Sequence, residues 1–380
     1  MTMHALFPAE TPPASAAAWS ARMADSMIAR HTPESAQWHY EHGLLWMAIA
    51  AVGRATGEER YLRAANAYID AFIEPDGGIR TYRIDEYNLD QINPGRLLFP
   101  RLRETGDQRY EQAIRTLREQ LRKHPRTQAG GFWHKQIYPY QMWLDGIYMA
   151  EPFYAACARH LGEPSAFDDI AHQILLIERQ TRDPETGLLA HAWDESRAMA
   201  WADKSTGRSP HAWGRAMGWY AMALVDVLDD FPADHVQRPG ILAVLGRLAD
   251  TVTRVQQPES GLWYQVLDQG QRAGNYLEAS ASAMFVYALA KGARLGYLPH
   301  SALDVARRGY EGMLRELITV DEGGLVTLNR VCAVAGLGGN PYRPGTFEYY
   351  IGEEIRPNDF KGVGPFILAS LELEQAARHG

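Results

Sequence analysis

The sequence predicts an all-α fold, an (α/α)6 barrel in which six helical hairpins build two concentric helix rings. Three observations lead there. One turn recurs: Thr56-Gly57-Glu58-Glu59-Arg60-Tyr61 returns as Thr105-Gly106-Asp107-Gln108-Arg109-Tyr110, with Leu161-Gly162-Glu163 followed by Phe167 as a looser third copy. A second kind of turn alternates with it, as Asp76-Gly77-Gly78-Ile79, Ala129-Gly130-Gly131-Phe132, Thr186-Gly187-Leu188, Ser260-Gly261-Leu262 and Glu322-Gly323-Gly324-Leu325. The helical patterns between these turns fall into two classes, one with a single apolar stripe and one apolar almost all round.

In chain order, the striped class covers 14–30, 58–74, 107–123, 165–181, 238–256 and 301–318, and forms the outer ring. Tyr110, Ala113, Ile114, Leu117 and Leu121 show its spacing, with charged residues elsewhere. The apolar class covers 39–55, 89–104, 140–160, 212–228, 277–294 and 362–377, and forms the inner ring; Trp213 to Leu228 is typical. In each Thr-Gly turn the glycine ends an inner helix and an acidic residue starts the next outer one. The stretch from Pro139 to Met149 begins with a proline suited to a first helical turn and continues apolar on nearly every face, which predicts a buried helix. Strands are expected only as short hairpins in the longer glycine-containing loops.

A chain of 380 residues, 46% of them hydrophobic and with no Ser/Gly/Pro-rich linker, reads as one domain spanning 1–380. Met1 to Pro13 carries neither a basic nor an apolar leader segment, and no apolar run reaches membrane-spanning length, so a soluble, cytoplasmic protein is expected. Cys157 and Cys332 are the only cysteines, which excludes a disulfide scaffold or a cysteine-rich metal site. The net charge of −8 disfavours nucleic acid and anionic membranes as partners. The basic run Arg115 to Arg126 interleaves Arg118, Arg122 and Lys123 with Leu117 and Leu121, as the solvated face of a helix does. Ten Trp and nineteen Tyr supply flat apolar faces with polar handles, suited to sugar rings as well as to cores.

The glycine loops all lead from an outer helix into an inner one, so they share one end of the barrel, where side chains are expected to converge on one cavity. Tyr40, Asp90, His134, Lys135, Asp145, His191, Trp213, Arg215 and Trp219 fall there. Asp145 has two readings. A carboxyl in an apolar run is pushed towards its protonated form, which a general acid needs; a carboxylate near a helix start is also favoured by the dipole and can be purely structural. Trp213, Met217 and Tyr220 have helical spacing and read equally as core. His39 and His42 lack a third partner at metal-ligand spacing, so no metal and no cofactor is expected. Gly336 to Pro341 reads as a turn-rich loop near the barrel mouth, and Glu353-Glu354 as solvated loop charge.

Several motifs, in order along almost the whole chain, resemble glycoside hydrolase family 105, the unsaturated rhamnogalacturonyl hydrolases, and the related unsaturated glucuronyl hydrolases of family 88. They are Trp38-His39-Tyr40-Glu41, Tyr87-Asn88-Leu89-Asp90, Gly131-Phe132-Trp133-His134-Lys135, Tyr138 to Met149, His191-Ala192-Trp193-Asp194, Trp213 to Trp219 and Asn358 to Phe366. The resemblance implies hydration of the C4=C5 vinyl ether of an unsaturated uronate at the non-reducing end of a lyase product. It implies Asp145 as proton donor and then acceptor, Asp90 as the second acid, and Trp213 and Trp219 as sugar-stacking rings. Lys135, His191 and Arg215 match polar contacts to the unsaturated sugar, with His134 and Tyr40 beside them, and the partner is a small anionic oligosaccharide. Two other classes stay open: an ordinary inverting glycosidase or epimerase on the same barrel, and a non-catalytic oligosaccharide-binding protein. The leaving sugar is rhamnose if the substrate derives from rhamnogalacturonan; residue types alone do not choose it.

Overall fold

The computed structural model describes residues 16–31 and 36–379, so Met1 to Pro13, read as carrying no leader segment, lies outside the described residues. The outer helices are α1 (Ala16–Arg30), α3 (Glu59–Phe72), α5 (Gln108–Lys123), α7 (Ala166–Thr181), α9 (Arg238–Arg254) and α11 (Ser301–Glu316). The inner ones are α2 (Tyr40–Thr56), α4 (Leu98–Thr105), α6 (Leu144–Leu161), α8 (Gly214–Val227), α10 (Ala279–Arg294) and α13 (Phe360–His379), with a short α12 (Phe347–Gly352) in the last long loop. The inner ring closes on itself: α2 packs on α13, α13 on α10, α10 on α8, α8 on α6, and the segment from Asn93 joins α6 back to α2. This is the two-ring barrel expected, because an all-apolar helix must be covered on every side and only a surrounding ring of striped helices does so.

The Thr-Gly turns work as read. Gly57 (φ 77°) and Gly106 (φ 68°) cap α2 and α4 in the left-handed region, and their amides bond back to Gly53 and Leu102.

Two elements differ from expectation. The stretch 89–97 forms three-residue and five-residue 3-10 turns before α4 begins at Leu98. There Asn88 caps the first turn by accepting from the Asp90 amide, and Pro94 lacks the amide that a regular ladder needs. The Pro139 stretch is not helical from its start. Tyr140 has φ 61°, Gln141–Trp143 is strand β1, and α6 begins only at Leu144. Strand β1 pairs antiparallel with β2 (Ala192–Asp194), Met142 opposite Trp193, so backbone pairing between two loops overrides the helical prior. Strands β3 (Ile318–Val320) and β4 (Val326–Leu328) form the expected hairpin around Gly323-Gly324; β5 (Val331–Cys332) and β6 (Ile355–Arg356) tie the last loop together. No helix among the described residues is long and apolar enough to cross a membrane.

Candidate active site

The first cluster forms where loop 132–136 lies along the 3-10 turn after Asn88. Asn88 and Lys135 make a backbone bridge, and the Leu89 amide donates to the His134 carbonyl. This places Lys135 Nζ 2.5 Å from Asp90 Oδ2, with His134 Nε2 3.6 Å from Oδ1 and His39 Nε2 3.8 Å from Oδ2. Burial alone would raise the Asp90 carboxyl, but the charges of Lys135, His134 and His39 outweigh it and hold it at about 2. Lys135 is raised in turn, Asp90 overcoming the cost of burial. Burial lowers His134 to about 4 against the pull of Asp90, and lowers His39 too. At neutral pH the cluster therefore holds one carboxylate and one ammonium beside neutral imidazoles.

The second cluster surrounds Asp145. The β1–β2 register brings Trp143 opposite Ala192, and the Leu144 amide donates to the His191 carbonyl, so the first turn of α6 starts against His191. Asp145 Oδ2 lies 3.2 Å from His191 Nε2, out of line for a hydrogen bond, and among the described residues neither atom has another partner. His191 Nδ1 lies 2.8 Å from the Tyr350 hydroxyl, which can donate to it and leave Nε2 to face Asp145 with the proton. Around them the ring of Trp213 lies 4.8 Å and that of Trp143 5.3 Å from His191. Trp213 donates to Gln265, which donates onward to the Tyr350 carbonyl. The two clusters meet at Gly146: a Cβ there would sit 3.1 Å from His134 Nδ1, while the other face of His134 stacks on Trp143 at 4.6 Å. The small residue lets His134 stand against α6.

Tyr40 donates to Glu41, which Lys361 holds at 2.6 Å, and burial with Glu41 and Asp90 beside it keeps the Tyr40 phenol well above its usual range. Tyr40 touches Trp219 edge-on at 5.9 Å. Trp213 and Trp219 are each 1% exposed, so both are packed as core residues. Arg215 is equally covered: it donates to the carbonyls of Cys332 and Ala333, and Glu278 accepts from the Cys332 amide, so β5 is stapled to α8 and α10.

All nine residues singled out from sequence lie at the N-terminal end of the inner ring or its first turns. Sequence reading missed Tyr350, His39, Trp143 and Lys361 as neighbours of the carboxylates. His39 stands in the sequence reading as a motif residue and a rejected metal ligand, and Tyr350 sits 159 residues from the histidine it touches. A cavity of about 1000 Å³, unforeseen in the sequence, opens at the opposite end, between the C-terminal halves of the inner helices. What the described end can do chemically is set by its asymmetry. Asp90 is ion-paired and committed, whereas Asp145 faces aromatic rings and one imidazole, an arrangement fit for moving a proton.

Residues 19–377 match the model of Glycosyl Hydrolase Family 88. A solved glycoside hydrolase from family 105 of C. acetobutylicum superimposes with a TM-score of 0.91 at 48% identity, over 94% of this chain and 99% of that one. The unsaturated rhamnogalacturonyl hydrolase YesR of Bacillus subtilis is 28% identical over 71% of this chain and 75% of its own length. A protein of Agrobacterium fabrum, Atu3128, is 41% identical over 60% of this chain and all of its own. The unsaturated glucuronyl hydrolase of Bacillus sp. GL1, at 15% identity and a TM-score of 0.68, shares the fold. The chain thus belongs to the glycoside hydrolases of families 88 and 105, and is a glycosidase of the unsaturated-uronyl type.

Proposed function

We propose that this protein, as a single catalytic domain, releases the 4,5-unsaturated uronic acid from the non-reducing end of lyase-generated oligosaccharides, with unsaturated galacturonyl-rhamnose from rhamnogalacturonan as the preferred substrate. The observation that carries the reading is the setting of Asp145, at the first turn of α6 among aromatic rings with His191 Nε2 at 3.2 Å as its polar neighbour. Asp145 protonates C4, and the C4=C5 electron pair forms the new C–H bond. C5 becomes an oxocarbenium centre; water adds there and returns a proton to Asp145. The resulting hemiketal opens by breaking C5–O to a C5 ketone and a C1 hemiacetal. This collapses to the C1 aldehyde as the C1–O bond to the neighbouring sugar breaks and that sugar leaves, protonated, as an alcohol. Asp90, fixed by Lys135, orients water and ring hydroxyls, and His134 and Tyr40 complete that wall. Lys135 and His191 meet the uronate carboxylate, while Trp213 and Trp219, with Arg215 4.8 Å from the Trp213 ring, form the aromatic side.

The similarity to YesR supports rhamnose as the leaving sugar. Kinetics on a panel of unsaturated disaccharides test this: the highest kcat/KM is expected for the rhamnose-linked one, and a higher value for another aglycone would replace it. We place the enzyme in the cytoplasm, acting on imported short oligosaccharides; recovery mainly from the periplasm of its host would contradict that.

A further inference from the structure

The cavity at the far end of the barrel is built differently from the site just described. It runs between the C-terminal halves of α2, α6, α8, α10 and α13 and the turn into α4. One wall is electrically closed. Asp226 accepts from Arg96 at 2.9 Å, from Lys291 at 2.8 Å and from Tyr287 at 2.6 Å, and Lys291 also holds Asp229 at 2.6 Å. The other wall is not. Arg54 and Arg103 line the mouth, and among the described residues neither makes a side-chain hydrogen bond or an ion pair. Their charges add to that of Arg96: burial, then Arg103 and Arg96, lower the Arg54 guanidinium. Deeper in, the Tyr148 hydroxyl and Arg96 Nη1 form no aligned hydrogen bond. Of the four guanidiniums lining the concavity, Arg96 is paired with Asp226 and Arg159 with Asp230, while Asp229 and Glu372 are held by Lys291 and Arg294. The two unpaired among the described residues, Arg54 and Arg103, beside the free Nη1 of Arg96, favour an anion. The bonded carboxylates and the faces of Phe99 and Tyr287 offer acceptors and apolar surface for a hydroxylated body.

We propose that this second cavity binds a small hydroxylated oxyanion of monosaccharide size, a sugar acid or a sugar phosphate, through Arg54, Arg103 and Arg96. The volume, about 1000 Å³, is at the upper end of the range for small-ligand sites, roughly 300–1,000 Å³. The cavity is distinct from the catalytic end, and its floor touches it. Tyr148 lines the cavity and stacks on Trp219 at 4.8 Å, and Trp219 abuts Tyr40.

The test is isothermal titration of the whole protein with galacturonate, with glucose 6-phosphate and with neutral glucose, comparing wild type, Arg54→Gln/Arg103→Gln and Lys135→Ala. Both arginines are exposed at the mouth, so the double variant keeps the fold, which its melting temperature checks. Saturable binding of one or both anions, with a dissociation constant below about 1 mM, is expected, weakened about tenfold or more in the arginine variant and unchanged in Lys135→Ala. Which anion binds more tightly separates the sugar acid from the sugar phosphate. Binding lost only in Lys135→Ala would assign the anion to the catalytic end and overturn the proposal. So would glucose binding as well as the anions, or neither anion saturating. None of these results depends on turnover of an unsaturated substrate.

Discussion

Lys135→Met separates the two opposing forces on Asp90. The wild-type carboxyl, 7% exposed, is held at about 2 where the ordinary value is 3.8, which by linkage is roughly 2–3 kcal/mol of stability at neutral pH. Because the folded-state value is depressed, this contribution is complete above pH 4 and is lost as pH falls through the folded value of about 2. Removing the ammonium leaves burial in place and takes away the largest opposing charge. A buried ion left without its partner costs about 3–5 kcal/mol, so Lys135→Met should lose that much at pH 7. The deficit should shrink towards about pH 4, where Asp90 in the variant can protonate and shed its unpaired charge. Adding Asp90→Asn should restore most of the loss at pH 7. Urea denaturation of the wild type and the two variants at both pH values reads all of this. A Lys135→Met protein as stable as wild type at pH 7, or a deficit of the same size at both pH values, would refute the view that Lys135 holds Asp90 ionised.

Other outcomes follow from contacts already described. Tyr350→Phe removes the 2.8 Å contact that orients His191; stability should fall by about 1 kcal/mol, and kcat by roughly 10- to 100-fold with KM little changed, as steady-state kinetics would show. Gly146→Ala puts a methyl 3.1 Å from His134 Nδ1 and 3.2 Å from Leu89; His134, backed by Trp143, has nowhere to retreat, so kcat/KM should drop while the melting temperature falls only by the equivalent of about 1 kcal/mol. Burial lowers His124 to about 4. Its folded value is below the ordinary 6.5, so about 3 kcal/mol of stability is present above that pH and is lost as pH falls from 6.5 to 4. Thermal melts across that window should show His124→Gln losing less stability than wild type.

The rings of helices were legible because each helix announces its layer: α5 shows one apolar stripe, α8 is apolar throughout, and left-handed glycines mark the joints. What stayed hidden depended on pairings between distant segments. Nothing near Gln141 tells that it lies opposite Asp194, so the Pro139 stretch read as helix although its first residues form β1. Asp90 and Lys135 were each visible as polar residues at one end of the barrel, but their 2.5 Å ion pair and the histidines around it needed loop 132–136 laid against Asn88. Tyr350 lies on the six-residue helix α12, too short to show a periodicity of its own, so no local pattern ties it to His191. The far cavity was missed for a similar reason. Arg54, Arg96 and Arg103 sit in different turns, and only closure of the ring brings them to one mouth.

The central claim is that Asp145 supplies the proton for hydration of an unsaturated uronate. Its most direct test is loss of the double-bond ultraviolet absorbance when unsaturated galacturonyl-rhamnose is incubated with the wild type and with Asp145→Asn, which keeps the shape of the side chain without a transferable proton. Absorbance should fall with the wild type and, in the variant, at a rate lower by about 10²–10⁴-fold, with substrate binding largely kept. A variant that retains most of the wild-type rate would show that another group protonates C4, and the account of this site would have to be rebuilt around that group.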